Sequence, residues 1–223
     1  MTDRVVLYSA IYGGYEKPKK LPADLGIPAI LFTDDPTLDA PGWDVQVRPG
    51  AWPHPHPADP KATAPMMDHK YWKLHPEDVV GADVSIWLDG SIEISVDRFV
   101  RRCLDVLGDD DWVTVAHPAR NCIYPEAAFS ATLERYDATA VLAQAEFYRQ
   151  WHPANWGLFA TGAMVRRHTP QVLKLCEDWW FEVTTRSHQD QLSLPVLLRL
   201  AEDLKWNRNM PWFQWWHLYE HGA

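Results

Sequence analysis

Asp89, Gly90 and Ser91 interrupt the apolar segment 86–94 and are the most informative chemically active residues of the chain. A carboxylate at this point could hold a divalent cation or a sugar hydroxyl, and glycine lets a ligand approach the backbone closely. The same three residues also suit a β-bulge or a tight turn, in which the aspartate bonds only to nearby backbone. Spacing alone leaves both interpretations open.

Cationic side chains form a second group of candidates. Lys70 and Lys73 are three residues apart on a predicted helix, so both point the same way, either toward a diphosphate or into solvent. Arg120 follows His117 just after a predicted strand. A guanidinium there could bind phosphate oxygens bidentately or form a surface salt bridge.

Asp190 opens the last predicted helix, with Gln191 directly after it. Its carboxylate could accept a proton in catalysis, or it could cap the helix.

Two pairs of histidines have spacings that occur in metal sites, but we expect neither pair to bind a metal. His217 and His221 match a metalloprotease pattern, but we expect no downstream segment to supply a third zinc ligand. His54 and His56 alternate with prolines, and we expect both to be exposed loop residues.

The elements that must position these residues alternate between strands and helices. This alternation predicts one α/β domain with a mostly parallel sheet flanked by helices. Ligands of such sheets bind beyond the carboxyl ends of the strands, and the polar candidates follow the apolar runs at those ends. The predicted strands are 5–12, 29–33, 43–47, 84–94, 112–116 and 157–166, and the predicted helices are 61–75, 97–107, 125–136, 138–151, 169–183 and 189–204.

Composition narrows the function. The chain has 223 residues and a net charge of −9, which disfavours binding to nucleic acids or anionic membranes. Three cysteines without a C-x-x-C motif disfavour a disulfide framework and predict a reduced, cytoplasmic setting. The chain contains no run of 18 apolar residues, so the sequence predicts no membrane-spanning helix. We interpret segment 5–12 as a strand rather than a signal peptide.

Seven sequence motifs, taken in their order along the chain, resemble the glycosyltransferase-like domain family that includes plant mucilage-related proteins and bacterial homologues. The resemblance runs from about residue 5 to residue 204, which would leave 1–205 as the domain and 206–223 as a tryptophan-rich tail packed on it. The motifs are residues 12–16, 32–34, 70–73, 85–92, 117–124, 157–159 and 190–193.

The resemblance implies a compact nucleotide-sugar transferase of the GT-A type. Tyr12 and Asp34 would then lie near the nucleotide, and Lys70 and Lys73 near the diphosphate. Asp89 would be the first carboxylate of a metal-binding Asp-x-Asp motif.

Ser91 stands where that motif has its second carboxylate. Any Mn²⁺ or Mg²⁺ should therefore be weakly held and nucleotide-dependent, because a hydroxyl is a poorer ligand than a carboxylate.

These observations predict transfer of a sugar from a nucleoside diphosphate sugar, with UDP favoured by the resemblance, to an acceptor hydroxyl. Asp190 would be the catalytic base, and Ser91, His117, Arg120 and Gln191 would help to bind substrate. A glycan or small molecule is favoured over nucleic acid as acceptor. The alternatives are a non-catalytic nucleotide- or sugar-binding protein and a hydrolase of an amide or glycosidic bond.

Overall fold

A computed structural model shows a central mixed sheet with helices on both faces, and it describes residues 3–53, 55–79 and 81–218. The strands are β1 (Val5–Ile11), β2 (Ala29–Thr33), β3 (Asp44–Val47), β4 (Val84–Leu88), β5 (Ile92–Ile94), β6 (Trp112–Ala116), β7 (Phe159–Arg167), β8 (Trp206–Asn207) and β9 (Trp216–Leu218). The α-helices are α1 (Ala64–Leu74), α2 (Phe99–Leu107), α3 (Ile123–Ser130), α4 (Ala138–Arg149), α5 (Pro170–Thr185), α6 (Asp190–Leu200) and α7 (Trp212–Trp215).

Among the described residues, seven strands form the main sheet in the order β3-β2-β1-β4-β7-β6-β8. β7 pairs antiparallel with β4 and β6, whereas β1 to β4 pair in parallel and β8 pairs parallel to β6. The amino end of β7 therefore lies at the same edge as the carboxyl ends of the other strands. The predicted α/β class with a mostly parallel sheet is confirmed.

Alternation along β1 shows how the two faces are filled. Tyr8 packs with residues of α1 and α5 on one face, and Leu7 packs with residues of α2 on the other. All seven residues of β1 are buried, as expected for a central strand covered on both sides.

Several predicted boundaries are wrong in detail. Segment 84–94 is two strands broken at residues 89–91, and helix 125–136 is α3 followed by turns. Arg98, with φ 55°, is the N-cap of α2 in place of the predicted Asp97. Thr169, by contrast, caps α5 as expected, because its side chain accepts a hydrogen bond from the backbone N–H of Val172.

The tail forms regular structure where it is described. Trp206 extends the main sheet beside Trp112, and Trp216 pairs with Ile94 in a separate two-stranded sheet. Residues 219–223, which include His221 of the metalloprotease-like pattern, lie outside the described part of the chain.

Within the described residues no helix is both long and apolar enough to cross a bilayer. Cys103, Cys122 and Cys176 are free and buried.

Arg166 on β7 ties the core to the helix that carries the predicted lysines. Its side chain is fully buried, and Nη1 donates to the carbonyl oxygen of Lys73 at 2.8 Å. Nη2 donates to the Tyr8 hydroxyl, and the guanidinium lies 5.3 Å from the ring centroid of Trp112. A buried arginine thus fixes the carboxyl end of α1 against the sheet.

Replacing this arginine should destabilise the fold. In Arg166→Met the Lys73 carbonyl and the Tyr8 hydroxyl lose their donor, and we expect a loss of about 2 kcal/mol or more in the free energy of unfolding. Chemical denaturation measures it. The control is Arg101→Met, which removes an exposed i,i+4 ion pair with Asp105 and should change little. Equal effects of the two substitutions would show that the buried contacts of Arg166 do not matter.

Candidate functional site

α1 places two lysines at the carboxyl edge of the sheet. Lys73 is 3% exposed, and its Nζ lies 3.0 Å from Asp190 Oδ2 and 3.4 Å from Asp89 Oδ1. Lys70 Nζ lies 3.0 Å from the same Asp190 oxygen. The alternative prediction, that both lysines point into solvent, is therefore wrong. Lys70, Lys73, Asp89 and Asp190 form what we call the lysine–carboxylate cluster.

Asp190 is the most strongly held member of this cluster. It is the first residue of α6, whose N-cap is Gln189, so Asp190 does not occupy the capping position. The Thr161 hydroxyl, at the start of β7, donates to Asp190 Oδ1 at 3.2 Å. Burial would raise the pKa of Asp190, but Lys70 and Lys73 outweigh it and hold the pKa well below its usual range.

The two lysines differ in their balance of burial and charge. Burial, helped by repulsion from Lys73, lowers the pKa of Lys70 despite the attraction of Asp190. For Lys73 burial acts in the same direction, but Asp190 and Asp89 together outweigh it and raise the pKa. Lys73 is thus the more firmly charged of the pair.

Asp89 lies where β4 ends, and its carboxylate is already engaged. Its Oδ1 accepts a hydrogen bond from Trp87 Nε1 at 2.8 Å and lies 3.9 Å from His69 Nε2. Burial raises the pKa of Asp89, but the charge of Lys73 opposes burial, and the net shift is downward. A Cβ at Gly90 would lie 2.7 Å from Glu16 Oε2 and 2.8 Å from Ile11 Cδ1, so a side chain there would displace these two neighbours.

His69 extends the cluster toward β1. Its Nδ1 lies 2.7 Å from the Ala10 carbonyl oxygen, which can only accept, so Nδ1 carries a proton. Burial lowers the pKa of His69, which favours the neutral ring with Nε2 as an acceptor.

Arg120 and His117 line the far wall of the site. Arg120 pairs with the buried Glu126 of α3, and His117 Nδ1 accepts the backbone N–H of Arg120 at 3.0 Å. Gln189 Nε2 donates to Ser130 at 3.0 Å and so joins α6 to α3. The guanidinium of Arg120 therefore has a carboxylate partner at the wall of the site.

A buried aspartate–histidine pair fixes the start of α6. Asp59 is fully buried, and its Oδ2 accepts from the backbone N–H of His188 at 3.1 Å and lies 2.6 Å from His188 Nδ1. Burial lowers the pKa of His188 although Asp59 opposes the shift. Asp59 thus connects the segment before α1 to the residue two positions before Asp190.

The lysine–carboxylate cluster, His69, His117, Arg120 and His188 line one cavity of about 430 Å³, which we call the charged cavity. Eight predicted site residues line it, whereas Asp34 and Ser91 do not. Asp34 Oδ1 accepts the backbone N–H of Gly13 at 3.0 Å, and Ser91 is buried. The eight are Tyr12, Lys70, Lys73, Asp89, His117, Arg120, Asp190 and Gln191.

The lining residues that the sequence reasoning did not assign to the site include His69, Glu126, Thr161 and His188. His69 lies four residues before Lys73 on one helix, a spacing that could have identified it. Thr161 carries no such signal, because only the antiparallel direction of β7 brings it to this edge.

The loop histidine His56 also differs from expectation. It is 5% exposed, and its Nε2 lies 2.9 Å from the Val183 carbonyl oxygen. The predicted exposure is wrong for His56, and His54 lies outside the described residues.

Comparison with known proteins identifies the family. A family model described as TOD1/MUCI70, glycosyltransferase-like domain, matches residues 71–214, which is more than half of the chain. The chain belongs to this family. The match includes Lys73, Asp89 and Asp190, while Lys70 and Tyr12 precede it. A search of curated proteins found no match.

The solved structures that resemble this chain include two glycosyltransferases. Core-mannan synthase A (CmsA/Ktr4) from Aspergillus fumigatus, in its Mn/GDP form, has 9% identity and a TM-score of 0.51, with 88% of this chain and 70% of that chain covered. Mouse xyloside xylosyltransferase 1 has 8% identity and a TM-score of 0.45, with 92% and 84% covered. The similarity to core-mannan synthase A shows the fold alone, and it confirms the predicted GT-A-like class.

The donor atoms at Asp89 do not fit a cation held by protein alone. The space beside its Oδ1 is taken by the indole N–H of Trp87 and the ammonium of Lys73. In residues 3–53, 55–79 and 81–218, no three His, Cys, Asp or Glu side chains are grouped so as to hold a metal. Lys70 and Lys73 supply positive charge beside Asp89 and Asp190, and we assign no step to a metal.

The cluster makes a prediction about stability and pH. Asp190→Asn leaves two buried ammonium groups without their shared carboxylate, and we expect a loss of about 3 kcal/mol near neutral pH. Because the folded pKa of Asp190 is depressed, its contribution is present above the ordinary value of 3.8 and is lost as the pH falls below it. The stability gap between wild type and variant should therefore shrink in acid.

Urea unfolding at several pH values measures this gap. The control is Asp178→Asn on α5, whose exposed partner is Lys174. It should have little effect at any pH. A gap for Asp190→Asn that is constant from neutral pH into acid would contradict the ion-pair account.

Proposed function

We propose that this protein transfers a sugar from a nucleoside diphosphate sugar to an acceptor hydroxyl. The observation that carries the proposal is the burial of Lys70 and Lys73 at the carboxyl edge of a GT-A-like sheet, in a cavity of about 430 Å³. Membership of a glycosyltransferase-like family supports it, as do fold relatives that include a mannan synthase solved with GDP. UDP remains the expected donor nucleotide from the sequence resemblance.

The two lysines suit the leaving diphosphate. When the bond between the anomeric carbon and the diphosphate breaks, negative charge develops on the phosphate oxygens, and preorganised cations stabilise it. Lys70 and Lys73 lie side by side, and their only carboxylate partners among the described residues are Asp89 and Asp190. In this scheme the diphosphate competes with these carboxylates for the ammonium groups.

Asp190 then becomes available as the base. While both lysines hold it, its pKa is far too low for proton abstraction. As the ammonium groups turn to the diphosphate, the pKa of Asp190 rises toward its ordinary value. Its oxygen takes the hydroxyl proton as the acceptor oxygen attacks the anomeric carbon, and the diphosphate departs with the bond electrons. The Thr161 hydroxyl keeps Asp190 oriented throughout.

Nucleotide binding tests the role of the lysines. UDP and GDP are titrated calorimetrically into the wild type with EDTA, and then with Mn²⁺. Binding of at least one nucleotide should persist in EDTA, because the lysines supply the positive charge. Lys73→Met should weaken that binding about tenfold or more, since a charge-assisted hydrogen bond is lost.

Lys174→Met, which removes an exposed lysine of α5, is the matched control and should leave binding unchanged. Binding that strictly requires Mn²⁺ would refute the lysine role and return the site to metal chemistry. Failure of both nucleotides to bind would remove the transferase proposal and favour the hydrolase.

Turnover tests Asp190 separately. With a nucleotide sugar that binds, Asp190→Asn should lower the rate per folded molecule about 10²- to 10⁴-fold, the usual contribution of a general base. Slow release of free sugar reports turnover without a known acceptor. Nucleotide affinity should not fall in this variant, because the competing carboxylate has been removed from the lysines. A base acting directly on the acceptor also implies inversion at the anomeric carbon, which NMR of the product can establish.

Each alternative predicts a different outcome. A non-catalytic binding protein would bind the nucleotide sugar but release no sugar in the wild type. Retained configuration in the product would keep the transferase and remove Asp190 as the direct base.

A further inference from the structure

The formal charges that line the charged cavity cancel when its histidines are neutral. Among the described lining residues, four cations face four carboxylates. A diphosphate adds at least two negative charges to this partly buried volume, where charges need partners. Near neutral pH, a histidine is the side chain that can gain the missing positive charge. The cations are Lys70, Lys73, Arg120 and Arg135, and the carboxylates are Glu16, Asp89, Glu126 and Asp190.

Two of the histidines in this cavity are poorly placed to become charged. His117 Nδ1 accepts the backbone N–H groups of Ala119 at 3.2 Å and Arg120 at 3.0 Å, and protonation there would break both bonds. For His69, a carbonyl oxygen and not a carboxylate lies at Nδ1. Its Nε2 is 3.9 Å from Asp89 Oδ1, which is beyond hydrogen-bond distance.

His188 has the contacts of an imidazole that can be protonated. Its Nδ1 lies 2.6 Å from Oδ2 of Asp59, whose ionised carboxylate can only accept, so Nδ1 carries the proton of the neutral ring. Nε2 is then the acceptor. It has no hydrogen-bond partner among the described residues, and it keeps accessible surface on a side chain that is 4% exposed and lines the charged cavity.

Asp59 supplies a counter-charge that no other described cation uses. The carboxylate is fully buried, and within residues 3–53, 55–79 and 81–218 its ion-pair partner is His188 alone. Its other hydrogen bonds come from the backbone N–H groups of His188 and Lys61, both at 3.1 Å. A neutral His188 thus leaves a buried anion without a cation, and an imidazolium would complete the pair.

The groups that face the ring decide when it is protonated. Burial lowers the pKa of His188, the hydrogen bond from His188 to Asp59 opposes that shift, and the charge of Lys70 adds to it. Asp190 also raises the pKa of His188. Tyr136 packs on the ring with centroids 4.9 Å apart, and burial raises the pKa of Tyr136, so it stays neutral. A diphosphate that binds Lys70 would offset the one positive charge that opposes protonation.

We propose that His188 is a further diphosphate-binding residue, which becomes an imidazolium as the ligand enters the charged cavity. Its Nε2 takes a proton from solvent and donates it in a hydrogen bond to a phosphate oxygen, while Nδ1–H stays on Asp59. No covalent bond of the ligand changes in this step. The inference rests on the proposed function for the identity of the ligand as a diphosphate.

Proton uptake on binding measures this step. UDP, GDP, UDP-glucose and GDP-mannose are titrated calorimetrically with EDTA at about pH 7.5, in buffers of different ionisation enthalpy. A phosphate with a pKa of about 6 is already ionised there, so any uptake comes from the protein. We expect uptake of up to about one proton per ligand. Because binding raises the pKa of His188 from below its ordinary 6.5, affinity should fall above that pH, by at most about tenfold per pH unit.

Two substitutions remove the proton site in different ways. His188→Asn keeps an N–H for Asp59, and His188→Gln keeps a polar group of similar length, but neither side chain can be protonated. Both should abolish the uptake and weaken binding about tenfold near pH 6.5, since a charge-assisted hydrogen bond is lost. The matched control is His152→Asn, which changes a buried histidine that does not line the cavity and should keep the uptake. Imidazole ¹⁵N–¹H NMR of the wild-type complex checks the protonation of Nε2 without any substitution.

Proton uptake and sugar transfer can fail independently. Binding without uptake, or uptake that persists in both His188 variants, would refute this inference and leave the transferase proposal standing. Uptake that is lost in His69→Asn but kept in the His188 variants would assign the proton to His69 and also refute it. Uptake through His188 without any sugar transfer would remove the transferase alone. If none of the four ligands binds, both proposals are wrong.

Discussion

The burial of two ammonium groups against two carboxylates is the constraint on which the rest of this structure depends. None of the four charges of the lysine–carboxylate cluster is favourable in a low-dielectric site by itself, and each is tolerated only because its partners lie within about one hydrogen-bond length. Lys73 is almost fully enclosed and touches both carboxylates. Removal of any one member therefore changes the protonation of the others. Stability and chemistry are coupled at this site.

The fold supplies the rigid frame that this cluster needs. Asp89 is placed by the end of β4, Asp190 by the start of α6, and the lysines by α1. Arg166 holds the carbonyl of Lys73 from beneath, and the Asp59–His188 pair holds the backbone next to Asp190. Buried polar contacts of this kind fix positions more tightly than apolar packing, because each has a preferred distance and direction.

The sequence predicted the place of the site better than its contacts. Apolar runs that end in polar residues located the carboxyl edge of the sheet, and Asp89, His117 and Tyr12 follow directly from that pattern. Whether Lys70 and Lys73 face solvent or a carboxylate depends on Asp190, about 120 residues away, and local spacing holds no information on it.

Longer separations concealed other contacts completely. Asp59 and His188 are 129 residues apart, and no local sequence pattern indicates that they form a pair. His56 lies in a proline-rich segment whose composition is typical of exposed loops, yet the Val183 carbonyl of α5 holds it inside. Ser91 was expected at the site because it stands where the resembled motif has its second carboxylate. The chain turns at residues 90 and 91, and Ser91 is buried without lining the charged cavity.

The reversed direction of β7 has a consequence for how this protein tolerates change. Thr161 lies near the start of β7, where the chain enters the sheet. Asp89 and His117 lie just after the carboxyl ends of β4 and β6, where the chain leaves the sheet. In the described part of the chain the opposite edge of the sheet carries no member of the lysine–carboxylate cluster. One edge thus carries the lysine–carboxylate cluster, and the other carries only connections. Substitutions, insertions or a fused domain at the connecting edge can affect the lysine–carboxylate cluster only through the rigid strands between the two edges.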